Sequence, residues 1–285
     1  LVILPTTLAA CASTAPAEEA TESSEDATVK GGMLLVSDID DTIKRTDVHD
    51  KLAAAAAATE SRNAFSGMST LYGRWRGADD GQRKVIYLSA APGSLIELSK
   101  RFLTNSGFPG TLGRVEDVVI SGRSLFESAG DFKTQKLEAM YDALVAADRV
   151  PGTIVLVGDN GEQDMIAYGN FLRYVTSKGG RTDRIHSFIH HVYDGPDGSP
   201  IVAPHVPWVT ASDLAVRLSE LGLLSDSALA QVLAENAKDA VATPETVVPS
   251  FMTCATFASW PASTKSVGTD DYARVKSLTT ARCAE

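Results

Sequence analysis

Met33-Leu34-Leu35-Val36 is an unbroken apolar run that stops abruptly at Ser37-Asp38-Ile39-Asp40-Asp41-Thr42. A strand that is apolar on both faces must be covered on both faces, which calls for a parallel sheet between layers of helix. The pattern recurs at Lys84 to Leu88 and at Thr153 to Val157, each run ending in polar residues, and a last strand is expected from Arg184 to Tyr193. Helical patterns separate these runs. Gly93 to Asn105 carries Leu95, Leu98 and Leu103, with Gly107 just past its end, and Phe132 to Ala147 sets Leu137, Met140, Tyr141 and Leu144 on one stripe. The expectation is an α/β fold: a Rossmann-like parallel sheet with helices on both faces.

Composition narrows what such a fold could serve. At 285 residues, 44% apolar and 22% charged, the chain is neither disordered throughout nor a multi-span membrane protein. Its formal charge of −10, with no run of Lys or Arg, excludes nucleic acid as a partner. Five of those charges, Glu18, Glu19, Glu22, Glu25 and Asp26, fall in residues 12–29, which hold no base and few large apolar residues. Residues 12–31 therefore read as a solvated tether. Residues 1–11 read as the end of a secretory signal, and Leu8-Ala9-Ala10-Cys11 resembles the bacterial lipobox, with Cys11 as the acylated residue. Because Ala12 is not Asp, the resemblance implies a lipoprotein anchored at the periplasmic face of the outer membrane. An oxidising compartment also allows Cys254 and Cys283 to pair.

The folded part divides into residues 32–197 and a C-terminal helical extension and tail, 198–285. In the extension Thr210 and Asp213 suggest a capping box, Leu214, Leu218 and Leu221 a stripe, and Gly222 a stop; Leu229, Val232 and Leu233 begin a second helix. Packing on the sheet and forming a lid are both open to these helices.

The chemistry is concentrated at the strand ends. Asp38, Asp40 and Asp41 within four residues repel one another unless a cation sits among them, and hard oxygen donors suit Mg²⁺. A lone turn of this kind could equally cap a helix. A second acid pair, Asp159 and Asp164, ends the run Thr153 to Val157 on a glycine-containing loop; Ser89 ends the run from Lys84, and Lys136 lies near the start of the helix between. None of His49, His186, His190, His191 and His205 has metal-ligand spacing, so core or surface roles are expected for all five.

In this order the four motifs resemble the haloacid dehalogenase superfamily, and within it the catalytic domain of the actin-patch-associated phosphatidate phosphatases. The match runs through Ser37 to Lys44, Gly67-Met68, Leu71-Tyr72, Tyr87 to Pro92 except at Ala91, Lys136, and Gly158 to Asp164. Departures fall at Ser66, Gly93-Ser94, Gln135, Asn160 and Met165-Ile166. The resemblance implies a Mg²⁺-dependent phosphomonoesterase with Asp38 as nucleophile and Asp40 as acid and base. It implies metal ligands from Asp38, the Asp40 carbonyl and Asp159, with Asp164 as a ligand or just behind one, and Thr42, Ser89 and Lys136 on the phosphoryl oxygens. Lys133 fits the lysine position less well, being at the helix start. The segment between Asp41 and Ser89, helical over Leu52 to Ala58, is a small cap, which suits a phosphorylated lipid such as phosphatidate. A soluble phosphomonoester and a non-catalytic scaffold are the competing readings.

Overall fold

The computed structural model describes residues 32–77, 82–110, 119–120, 122–124 and 127–284. Cys11, the expected signal at 1–11 and the expected tether at 12–31 lie outside the described residues. Six strands, β1 (Met33–Ser37), β2 (Arg83–Leu88), β3 (Val119–Ile120), β4 (Thr153–Asp159), β5 (Ile185–His190) and β6 (Val206–Trp208), pair in parallel in the order β3-β2-β1-β4-β5-β6. From β1 the chain builds outward to β3, then returns to β4 on the other side and builds outward again. Ligands of open α/β sheets bind beyond the strand ends where the order reverses, here between β1 and β4.

Every side chain of β1 and β4 is buried. Alternate residues serve opposite faces: Leu35, Val155 and Val157 join one core, and Leu34, Val36, Ile154 and Leu156 the other. Helices α1 (Lys51–Thr59), α2 (Met68–Arg76) and α3 (Ile96–Asn105) follow in the first half of the chain, and α4 (Ala129–Ala146) and α5 (Asp164–Ser177) flank β4. Helices α4 and α5 cover the second face, where Phe132, Leu137, Tyr141, Tyr168 and Phe171 fill the core.

Between β1 and β2, α2 is a core helix whose Met68, Leu71, Tyr72 and Trp75 are all 0% exposed. Truncating a side chain such as Trp75 to Ala would cost about 3–5 kcal/mol. Only α1 lies outside, started by the Asp50 carboxylate, which accepts from the amides of Leu52 and Ala53. The expected cap is thus this one short helix, leaning on α3.

Residues 198–285 do not form a separate body. They contribute β6 to the sheet edge and then α6 (Ala211–Glu220), α7 (Asp226–Ala242), α8 (Pro244–Val247) and α9 (Thr269–Cys283). Trp208, Leu214, Leu218, Leu229, Val232 and Tyr272 share one core with β1 and α2, so these helices are a layer of the domain rather than a lid. The Thr210–Asp213 capping box forms as expected. Cys254 and Cys283 are joined in a disulfide that ties the end of α9 to the segment after α8.

Candidate active site

The register of the sheet assembles the site. Ser37 pairs with Tyr87 on one side and Val157 on the other, so Asp38 stands level with Leu88 and Gly158, and Ser89 and Asp159 flank it one residue further on. Asp38, Asp159 and Asp164 are all buried. Gly158 is required by the packing, since a Cβ there would lie 2.6–2.7 Å from the Asp164 carboxylate.

The loop after β1 is shaped by Asp41, which takes the left-handed conformation (φ 53°) that Asp tolerates better than most residues. Its Oδ1 accepts from the amides of Thr46 and Asp47, and its Oδ2 from the amide of Val48 and the hydroxyl of Tyr193 at 2.5 Å. Burial still raises this carboxyl to about 6 against those four donors. Its carbonyl oxygen lies 2.7 Å from Nδ1 of His190, a buried ring stacked on Trp208 whose Nε2 is 2.8 Å from the Val209 carbonyl. Burial lowers this imidazole to about 4, with the two carbonyls pulling the other way. His190 therefore braces the loop, and His191 pairs with Asp194 at 2.6 Å.

Asp38 and Asp159 sit among other acids. Thr42 Oγ1 lies 3.3 Å from Asp38 Oδ2 and 3.2 Å from Asp159 Oδ2, sharing one proton between them. Asp159 Oδ1 accepts from the amides of Gly161 and Glu162, a turn that folds Glu162 back over it. Carboxylate oxygens of Asp38, Asp159 and Glu162 all lie within 4.8 Å of one another. Burial, then the charge of Asp164, pushes Asp159 well above the ordinary carboxylate range. For Asp38 burial again leads, offset in part by Lys133 and reinforced by Asp164, Glu162 and Asp40.

The cation at this centre is Lys133. Its Nζ lies 2.7 Å from Asp38 Oδ1, 2.6 Å from Asp164 Oδ1 and 3.2 Å from Glu162 Oε2, with the side chain fully buried. Burial alone would lower this ammonium, but Asp164, Asp38 and Glu162 outweigh it and hold it well above its usual value. Lys136, expected at the phosphate, is exposed, with Nζ 5.3 Å from the Phe132 ring centroid. The buried stripe of α4 runs Lys133, Leu137, Tyr141, in steps of four. Extending the apolar stripe one step toward the N-terminus would have picked out Lys133.

Asp164 turns one oxygen to Lys133 and the other to the amide of Asp159, just behind the Asp38 and Asp159 carboxylates, one of the two places left open to it by the sequence. A Glu162 oxygen stands with those of Asp38 and Asp159; it is the second carboxylate of Gly158-Asp159-Asn160-Gly161-Glu162 and was not among the expected site residues. The Asp40 carboxylate, at the mouth of the site, accepts from Thr46 Oγ1 at 2.8 Å and is raised chiefly by burial. Ser89 Oγ accepts from the Ala91 amide at 3.1 Å, which leaves its O–H to donate. Asn160 joins the loop after β4 to the end of β5, accepting from the amides of Val192 and Tyr193 and donating to the Tyr193 carbonyl.

With five carboxylates and one directly bonded ammonium, the centre lacks positive charge. A divalent cation fits this donor set of hard, closely spaced oxygens.

Among curated proteins none matches the chain. Two structures of the class C acid phosphatase from Bacillus anthracis resemble it, one with tungstate bound (TM-score 0.34) and one without (0.33); each is 12% identical and covers 55% of this chain. The likeness spans 65% of the length of the acid phosphatase. Residues 33–178, a little more than half of the chain and the part that carries every carboxylate of this centre and Lys133, match the phosphatidate phosphatase APP1 catalytic domain, and the chain belongs to that family.

Proposed function

We propose that the protein is a Mg²⁺-dependent phosphatase that removes the phosphate of a phospholipid of the phosphatidate type through an aspartyl-phosphate. The observation that carries the chemistry is the buried Asp38 carboxylate, held by Lys133 at Oδ1 and only loosely by Thr42 at Oδ2. Oδ2 is therefore the oxygen free to attack. Its attack forms the O–P bond to Asp38 as the ester O–P bond breaks, and Asp40, with its carboxyl raised by burial, gives its proton to the leaving oxygen. Asp40 then takes a proton from the water that attacks phosphorus, the bond to Asp38 breaks, and inorganic phosphate leaves. Ser89 and Lys133 hold the phosphoryl oxygens, with Lys133 in the role expected of Lys136.

Asp38, Asp159 and the Asp40 carbonyl would hold the Mg²⁺, which when bound offsets the charge between a carboxylate nucleophile and a phosphate dianion. Asp164 keeps Lys133 and the Asp159 amide in place.

The lipid reading rests on the family's description and on the slight cover over the site, since among the described residues between Asp41 and Ser89 α1 is the one helix that stays outside the core. No helix among the described residues is long and apolar enough to cross a membrane. Attachment at the periplasmic face of the outer membrane, through acylated Cys11 and residues 12–31, is proposed from the sequence alone. Phosphate release from phosphatidate vesicles and from p-nitrophenyl phosphate, each with Mg²⁺ or EDTA, tests the function. Turnover of vesicles with Mg²⁺ alone is expected. Turnover of the soluble ester only would replace the lipid by a soluble phosphomonoester, and turnover of neither would leave a scaffold.

A further inference from the structure

We infer that Glu162 is a ligand of the metal, a third protein carboxylate beside Asp38 and Asp159. This rests on the metal-dependent reading above and adds a residue to it. Lys133 does not need Glu162, because Asp38 and Asp164 already hold it at 2.7 and 2.6 Å, and the Glu162 contact is the longest of the three at 3.2 Å. Nor is Glu162 placed by chance. Its amide and that of Gly161 both donate to Asp159 Oδ1, so the turn that orients Asp159 also fixes Glu162 beside it. Gly161 makes that turn possible, since a Cβ there would stand 2.5 Å from the Tyr193 ring.

The placement is costly without a cation. A carboxylate oxygen of Glu162 lies within 4.8 Å of those of Asp38 and Asp159, so the residue adds repulsion to a centre already rich in acid. A cation reverses that sign: each added anionic oxygen ligand tightens the hold on a divalent ion. The Glu162 side chain is 27% exposed while Asp38 is 1% and Lys133 0%, which puts it on the solvent side of the centre.

Isothermal titration of the full chain with MgCl₂, for wild type, E162Q and D159N, tests this without reference to turnover. Mg²⁺ affinity is expected to fall about tenfold or more in E162Q. Thermal unfolding followed by circular dichroism should show E162Q no less stable than wild type in EDTA and less stabilised by added Mg²⁺. If D159N loses Mg²⁺ binding and E162Q keeps wild-type affinity, Glu162 is not a ligand and the metal reading stands. If wild type takes up no Mg²⁺, the metal reading falls, and this inference with it. Should D159N fail to fold, the wild-type titration still separates the two.

Discussion

Asp213, at the start of α6, is as deeply buried as Asp38 and Asp159, and it is held in the opposite way. Its Oδ2 accepts from the amides of Val209 and Thr210 and its Oδ1 from the hydroxyl of Tyr272 on α9. Nearby, Asn236 bonds Ser212 and Ser66, and Ser66 bonds Asp239. Each of these groups meets a complementary one. At the ends of β1 and β4, by contrast, acids face acids around one ammonium. Burial raises the carboxyls in both places. What distinguishes them is whether anything remains to be neutralised, and a shortfall of positive charge marks the place where a cation and a phosphate belong.

The largest effect that would sharpen this contrast is on turnover. D38N removes the proposed nucleophile, and hydrolysis should fall by at least about 10³-fold. Lys133 keeps Asp164 and Glu162, so the melting temperature should stay within a few degrees. Single-turnover phosphate release together with a thermal melt checks both halves; retained hydrolysis would remove Asp38 from the mechanism. K133M comes next. It strips the buried carboxylates of their directly bonded cation and should cost about 3–5 kcal/mol in urea unfolding as well as activity. K136M, one helical turn away but exposed, should change stability by less than about 0.5 kcal/mol. Equal losses for the two would break the distinction between the two lysines.

In the C-terminal layer the disulfide is the strongest tie not made by packing. Cys254 and Cys283 are separated by 29 residues, and opening a loop of that length costs about 3–4 kcal/mol in the chain-entropy account. C254S/C283S should therefore shift the urea midpoint downward while leaving phosphate release at 25 °C near wild type, because neither cysteine is at the site. Loss of activity below the unfolding transition would show that the two regions are coupled more tightly than their separate polar networks suggest.

Strands β1, β2, β4 and β5 and the two acid loops were legible because the sequence signals them without tertiary information, while the two- and three-residue edge strands β3 and β6 are too short to leave a pattern. Met33 to Val36 has no polar residue, and Asp38, Asp40, Asp159 and Asp164 fall where such runs end. What escaped depends on direction in space. Lys133 and Lys136 differ only in which of them continues the Leu137–Tyr141 stripe, and a lysine on a buried stripe looks like an error until its acid partners are visible. Glu162 is brought to Asp159 by two amide hydrogen bonds that leave no trace in residue spacing. The role of the last helices stayed open because Leu214, Leu218 and Leu229 say that a face is covered and not by what; the answer, a core shared with Leu35 and Trp75, is long-range.

The smallest effect tests the closed network itself. Burial raises the Asp213 carboxyl from 3.8 to about 6, with its hydrogen-bond donors opposing the shift. An acid raised on folding holds its proton more tightly in the native state, so its contribution is greatest at low pH and is lost as pH rises through the native value. With about 1.4 kcal/mol per unit, wild type should lose about 2 kcal/mol relative to a non-titrating variant between pH 4.5 and pH 7.5. D213N is that variant. Its amide oxygen can accept from Val209 and Thr210, and its NH₂ can donate to Tyr272, whose hydroxyl then accepts. Urea unfolding at the two pH values should therefore show D213N gaining on wild type as pH rises. A parallel pH dependence for the two proteins would mean that Asp213 ionises without cost, and that its three bonds already compensate the burial that the acids around Asp38 leave uncompensated.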